Sequence, residues 1–210
     1  MHIANSIFWK YVSNNFSPYF NDDILEFGSY NINGTIKDYF NKSKNYVGID
    51  WREGPCVDVV GLAHEIKFDY KARAVFSASM LEHDPFWRKS LKNMINHLTD
   101  DGILVLTWGS AKNDIHCLPE APDGKFHSLK AELVMNFLTE NGFTIHTAVY
   151  DGNLSNIIDD VGDLKILKSG NCFPENIDGY GEFNLIAFRQ DFNDVNGFIT
   201  ELMTEDKLVI

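Results

Sequence analysis

The sequence predicts an α/β fold, a mainly parallel sheet with helices on both faces and an antiparallel last strand. Two observations carry this expectation. Short apolar runs alternate with helix-patterned segments, the signature of βαβ units and a sheet covered on both sides. The last two strand-like runs, Phe143 to Tyr150 and Phe183 to Phe188, have no strongly helical segment between them, so the final strand can run in reverse. At 210 residues the chain fits one compact domain with a substantial core.

Ile3, Ile7, Phe8, Tyr11 and Val12 recur at helical spacing, and Ser17-Pro18 ends that pattern. The aromatic residues Phe8, Trp9, Tyr11 and Phe16 either face the core or contribute to a lid, and the spacing favours the core. Ile24 to Phe27 reads as a buried strand ending at Gly28, and Thr35 to Asn41 as a helix. Tyr46 to Asp50, Val57 to Val60 and Ala74 to Ala78 are the next strands. A helix over 86–98 follows, with Asp101-Gly102 as its expected stop, then a strand from Ile103 to Trp108. Leu129 to Glu140 is amphipathic and halts at Asn141-Gly142. The segment Asp151 to Gly181 is rich in Gly, Asn and Asp and reads as loop.

Composition narrows the function. A formal charge of −12 disfavours nucleic acid and anionic membrane surfaces as partners, because gripping a phosphate backbone requires clustered Lys and Arg. No apolar run approaches the roughly 20 residues of a membrane span, and the first 20 residues lack a secretory pattern. Cys56, Cys117 and Cys172 are scattered, without a C-x-x-C pair, which suits a reducing cytoplasm and suggests neither disulfides nor a zinc site. No metal-ligand cluster is evident.

The strongest chemical signal is Leu25-Glu26-Phe27-Gly28-Ser29, continuing through a polar turn to Gly34-Thr35. A strand feeding a glycine turn lets a ligand lie against backbone and meet N–H groups. Asp50 closes the following strand, about 20 residues on, where a carboxylate can accept both hydroxyls of a ribose. Trp51 beside it can pack on an adenine. Taken singly, Asp50 could be a strand-end turn residue and Trp51 a core aromatic; together with the glycine turn they point to a nucleoside. A dinucleotide site would need G-x-G-x-x-G, and Tyr30 stands where its second glycine belongs. Glu26, an acid within the strand, suits a ligand with a cationic amino-acid end better than a pyrophosphate.

These residues resemble motif I of the class I S-adenosylmethionine-dependent methyltransferases. More narrowly, they resemble type 11-like enzymes of a bacterial and viral subgroup whose loop reads Gly-Ser-x-x-x-Asn-Gly-Ser/Thr. Tyr46 to Pro55, Val57 to Val60, Ala63-His64-Glu65 and Ser79 to Pro85 are similar to the same subgroup, in order, over residues 22–108. The resemblance implies a Rossmann-like methyltransferase sheet and S-adenosylmethionine as cofactor, with S-adenosylhomocysteine as product. It implies that Glu26 organises the loop and the methionine amino group, while Phe27, Gly28 and Ser29 line the methionine and ribose side. Asp50 and Trp51 would hold ribose and adenine, Leu62, Ala63 and His64 would form the adenine-edge loop, and Ser79 would sit near the methyl group. Many relatives carry Asp where this chain has Leu62, which removes one adenine contact.

A single domain over 1–210 is expected, with 1–20 as an N-terminal helix or lid and 22–108 as the cofactor-binding half. Segments 109–127 and 151–181 are the expected acceptor-side loops. His116 and His83 are the candidate general bases, their alternatives being an exposed loop histidine and a helix brace shared with Glu82. The acidic charge and compact size favour a small polar acceptor such as a sugar, glycan precursor or other metabolite. A protein or RNA methyltransferase and a non-catalytic cofactor-binding subunit are the alternatives.

Overall fold

The computed structural model describes residues 3–32, 34–109, 129–150, 164–168 and 182–189. Its elements run α1 (Ile3–Asn15), β1 (Asp23–Phe27), β2 (Asn45–Asp50), β3 (Val59–Val60), β4 (Ala72–Ala78), α2 (Trp87–Asn96), β5 (Leu98–Gly109), α3 (Ala131–Glu140), β6 (Phe143–Tyr150), β7 (Leu164–Lys168) and β8 (Glu182–Arg189). One sheet holds the strands in the order β3-β2-β1-β4-β5-β8-β6-β7. Strands β1 to β5 are parallel, whereas β8 is antiparallel to both of its neighbours. The predicted reversal of the last strand is therefore present. Strand β7, an antiparallel edge on β6, falls inside the segment read from sequence as loop.

The alternation of side chains across each strand sorts the core into two layers. Leu25, Phe27, Val75, Leu104 and Leu106 face α2 and α3. Ile24, Phe76, Ile103, Val105, Ile186 and Phe188 face α1 and a short 3-10 turn at Lys37–Phe40. The buried stripe of α1 is Phe8, Trp9 and Val12, with Phe16 just beyond its end, so the N-terminal aromatics belong to the core. Trp9 joins the stripe while Tyr11 is only half-buried, a small rotation from the sequence reading. Ring contacts of Trp9 with Phe76 and of Phe16 with Phe188 lay α1 along the sheet. Its first turn reaches the carboxyl end of β4, where Asn5 Nδ2 donates to Ser79 Oγ.

Three expectations need correction. The helix over Thr35 to Asn41 is the single 3-10 turn Lys37–Phe40. With β2 beginning at Asn45, this crossover has room for one turn, and it buries Ile36 and Phe40 as its anchors. Asp101-Gly102 does not stop α2, which ends at Asn96 with His97 as its C-cap. The His97 ring accepts the Phe68 N–H at Nε2 and donates from Nδ1 to the Asn93 carbonyl, which assigns the neutral tautomer. Gly102 lies within β5, where the register against β4 jumps from Ala72↔Leu98 to Ala74↔Ile103. A Cβ there would come within 2.8 Å of the Arg73 carbonyl, so glycine marks a close backbone approach rather than a helix end. The third strand is also shorter than Val57 to Val60, pairing only through Val59 and Val60.

Candidate functional site at the carboxyl edge of the sheet

In an open parallel sheet, ligands gather beyond the carboxyl ends of the strands where the strand order reverses. Here the reversal lies between β1 and β4. β1 ends into Gly28, whose φ of +86° an L side chain rarely adopts. A Cβ on Gly28 would also lie 2.5 Å from Met80 Cβ, so glycine is required by conformation and by packing. The N–H groups of Gly28 and Ser29 both donate to the Ile49 carbonyl, at 2.8 and 3.0 Å. These bonds lash the turn after β1 to the end of β2.

Asp50 completes the clasp. Its two carboxylate oxygens accept the backbone N–H groups of Tyr30 (3.2 Å) and Arg52 (3.3 Å), and its carbonyl accepts Gly61 N–H at 2.8 Å. Burial raises the Asp50 carboxyl pKa, and the backbone donors Tyr30 and Arg52 oppose that rise. A carboxylate offers about four lone-pair positions, so each oxygen retains an acceptor site for a ligand hydroxyl. The Arg52 guanidinium lies 3.9 Å from the Tyr30 ring centroid and 5.3 Å from that of half-buried Trp51.

Glu26 is buried one layer down, on the α1 side of the sheet. Its Oε2 accepts the Tyr46 hydroxyl at 2.8 Å. Burial pushes the Glu26 carboxyl up to about 7, with the Tyr46 hydrogen bond and the positive charge of Lys37 pulling it down. The Tyr46 hydroxyl is itself driven well above its ordinary range by burial and by the neighbouring carboxylate. Asn31 Oδ1 caps the polar loop by accepting Gly34 N–H at 2.8 Å.

The loop holding Leu62, Ala63 and His64 begins immediately after Gly61, the residue bonded to the Asp50 carbonyl. Leu62 accepts from Glu65 and Ile66 in one helical turn, and Asn93 of α2 pins the loop by donating to the carbonyls of Ala63 (2.9 Å) and Ile66 (2.7 Å). The His64 ring packs against Phe86 at 4.7 Å between centroids. On the other flank, Ser79 follows β4 with a left-handed φ of +54°, and its N–H donates to the Thr107 carbonyl at 2.8 Å. A non-glycine residue held in that region is strained, and such strain concentrates at functional edges.

Glu26, Phe27, Gly28, Ser29, Asp50, Trp51 and the Leu62–His64 loop thus gather at the β1–β2–β3 end of one edge, and Ser79 lies across the β1/β4 switch. Glu82 is buried, and its Oε1 accepts Gly109 N–H at 3.0 Å. It ties the end of β4 to the end of β5, a brace between strands. His83 is half-buried beside it, its N–H donating to the Met80 carbonyl at 2.9 Å. His116 and His127 lie outside the described residues, as do segments 110–128 and 151–181 apart from β7.

Sequence reasoning missed several polar groups on the α1 face. Asn5, Thr107 and Asn184 are completely buried, and Tyr46 is the partner of Glu26. Each carries a legible signal, a polar residue at an apolar-periodic position: Asn5 is in step with Phe8, Trp9 and Val12, Thr107 sits inside an apolar strand, and Asn184 follows Phe183.

The strand order, the reversed strand between β5 and β6, and the polar carboxyl edge together define the Rossmann-like class I methyltransferase fold. Solved structures bear this out. A S-adenosylmethionine-dependent methyltransferase from Clostridium acetobutylicum superposes with a TM-score of 0.59 at 12% identity, covering 88% of this chain and 91% of its own. The N-methyltransferase NodS from Bradyrhizobium japonicum, bound to S-adenosylhomocysteine, gives a TM-score of 0.55 at 14% identity over 88% and 86% of the two chains. The 1,6-didemethyltoxoflavin-N1-methyltransferase of Burkholderia thailandensis, with bound 1,6-didemethyltoxoflavin and S-adenosylhomocysteine, gives 0.55 at 13% identity over 89% and 79%. No protein-family model matches the sequence, and no curated protein matches it by sequence. At these identities the likeness is one of fold.

Proposed function

We propose that this protein is an S-adenosylmethionine-dependent methyltransferase acting on a small polar acceptor such as a sugar, glycan precursor or other metabolite. The observation that carries the reading is the clasp in which the Gly28–Ser29 turn and the Asp50 carboxylate are hydrogen-bonded into one unit at the switch point. The residues suit the cofactor. Asp50 keeps one acceptor position on each oxygen for ribose hydroxyls, and Ser29 Oγ is buried without a hydrogen-bond partner. A buried carboxyl with a pKa near 7, such as Glu26, becomes the counterion of an ammonium group brought close to it.

When bound, the cofactor would supply a methyl group on a cationic sulfur for transfer to an acceptor lone pair. The chain's own task is then placement and exclusion of water. Asp50 would hold the nucleoside, Trp51 and the Leu62–His64 loop would flank the adenine, and Ser79 would stand beside the reacting end. Among the described residues, His83 is the candidate base for an acceptor that must lose a proton, and His116 is the candidate in the segment after β5. No helix of the described residues is long and apolar enough to cross a membrane.

Calorimetric titration with S-adenosylmethionine, S-adenosylhomocysteine and NAD tests the reading. Binding of the first two and not the third is expected, and binding of NAD alone overturns it. A radiolabelled-methyl screen against metabolite, glycan, protein and RNA pools then tests the acceptor class; label confined to protein or RNA overturns the small-molecule part.

A further inference from the structure

The α1 face of the sheet carries a group of polar side chains that the cofactor clasp does not use. Asn5 lies on the first turns of α1, in step with the apolar stripe, and donates from Nδ2 to Ser79 Oγ at 3.3 Å while its own Oδ1 is buried without a partner. Ser79 is bonded through its N–H to the Thr107 carbonyl. Thr107 stands directly opposite Asn184 in the β5–β8 ladder, where facing Cβ atoms are about 4.5–5.5 Å apart. Thr107 Oγ1 and both amide atoms of Asn184 are buried and have no hydrogen-bond partner among the described residues. One helical turn beyond Asn5, Trp9 Nε1 is another buried donor in the same condition.

Leaving one such group unpaired costs about 1–3 kcal/mol, so a cluster drawn from a helix and two strands would be an expensive accident. Apolar residues would fill these positions at no such cost, as Val105 and Ile186 do one step further along the same faces. The cluster has a definite chemistry. It holds an amide donor, amide acceptors and hydroxyl groups, and no charged side chain among Asn5, Ser79, Thr107 and Asn184. It adjoins Ser79, at the end of the strand next to the cofactor turn.

We propose that Asn5, Thr107 and Asn184 form the acceptor subsite, recognising an uncharged, hydroxyl-bearing portion of the methyl acceptor beneath the first turns of α1. This rests on the methyl-transfer reading and gives it a substrate class. A hydroxyl both donates and accepts, which matches the mixed donors and acceptors of the cluster. None of these four side chains offers a counter-charge to a carboxylate or ammonium group, so burying one among them would be costly. Because the groups are covered in this structure, the first turns of α1 shift as the acceptor enters, and the 3.3 Å contact from Asn5 to Ser79 is broken or shared.

The test uses Thr107→Val and Asn184→Leu, which keep volume and remove hydrogen bonding. Methyl transfer from radiolabelled S-adenosylmethionine is measured into a panel of neutral methyl hexosides, the corresponding uronates and the corresponding amino sugars. Label is expected in neutral hexosides, with kcat/KM falling about tenfold or more in each variant through KM. S-adenosylhomocysteine affinity should stay within about twofold of wild type. Failure of the wild type to bind S-adenosylhomocysteine overturns the methyl-transfer reading and the subsite with it. Normal cofactor binding overturns the subsite alone if label enters only uronates or amino sugars, enters no member of the panel, or enters hexosides equally in wild type and both variants. Loss of thermal stability together with cofactor affinity in both variants assigns the cluster to structure and likewise overturns it.

Discussion

At the β1–β2 end of the carboxyl edge, polar side chains are engaged by the protein itself. Asp50 takes two backbone N–H groups, Glu26 takes the Tyr46 hydroxyl, Asp58 takes the Gly48 N–H and Asn31 takes that of Gly34. Beneath α1, a few strands away, Asn5, Thr107 and Asn184 hold buried polar atoms without a hydrogen-bond partner among the described residues. The first arrangement is preorganised: its geometry is set before a ligand arrives, which suits a nucleoside that never changes. The second is unsatisfied until something enters, which suits a partner whose hydrogen bonds supply specificity. Ser29 Oγ, buried within the first region without a hydrogen-bond partner among the described residues, behaves like the second.

If the clasp is preorganised, breaking its backbone should cost most. Gly28→Val places a branched side chain at φ +86° and into Met80. Strain and overpacking together should destabilise the fold by about 3–5 kcal/mol in denaturant unfolding; a loss below about 1 kcal/mol would show that the turn adapts.

Glu26 comes next. Its folded pKa of about 7 lies above the reference of 4.5, so the folded state holds the proton more tightly. The contribution to stability is therefore complete below pH 4.5 and is lost as pH rises through about 7. At 1.36 kcal/mol per pH unit this amounts to about 3 kcal/mol at most. Glu26→Gln should flatten the stability profile over that window, and an unchanged slope would remove Glu26 as its source.

Asp50→Ala should weaken S-adenosylhomocysteine by at least about 1–2 kcal/mol, since charged hydrogen bonds to the ribose are lost. Unchanged affinity in calorimetry would detach Asp50 from the ligand. The smallest effect belongs to the other region. Thr107→Val should change thermal stability little, or raise it, because an unpaired hydroxyl is exchanged for a methyl group of similar shape. A loss of more than about 2 kcal/mol would mean that the hydroxyl has a partner within the fold.

The contrast also separates what the chain reveals from what it conceals. Strands β1, β2 and β4 are short apolar runs bounded by Gly, Asp or polar turns, and local pattern places them. The residues of the clasp are close in sequence to those strand ends, so Glu26, Gly28 and Asp50 are readable as a set. The α1 cluster is not, because it unites residues from the start, middle and end of the chain through a ladder in which β8 inserts between β5 and β6. No local spacing encodes that insertion. The same holds for Gly102, whose role depends on the Arg73 carbonyl of the neighbouring strand, and for β7, whose pairing with β6 overrides its loop-like surroundings.

A crystal structure of the protein with S-adenosylhomocysteine is the decisive experiment. The ribose hydroxyls are expected on Asp50, the adenine between Trp51 and the Leu62–His64 loop, and the amino-acid end over the Gly28–Ser29 turn. Density for the ligand at any other edge of the sheet, or none at saturating concentration, would contradict it.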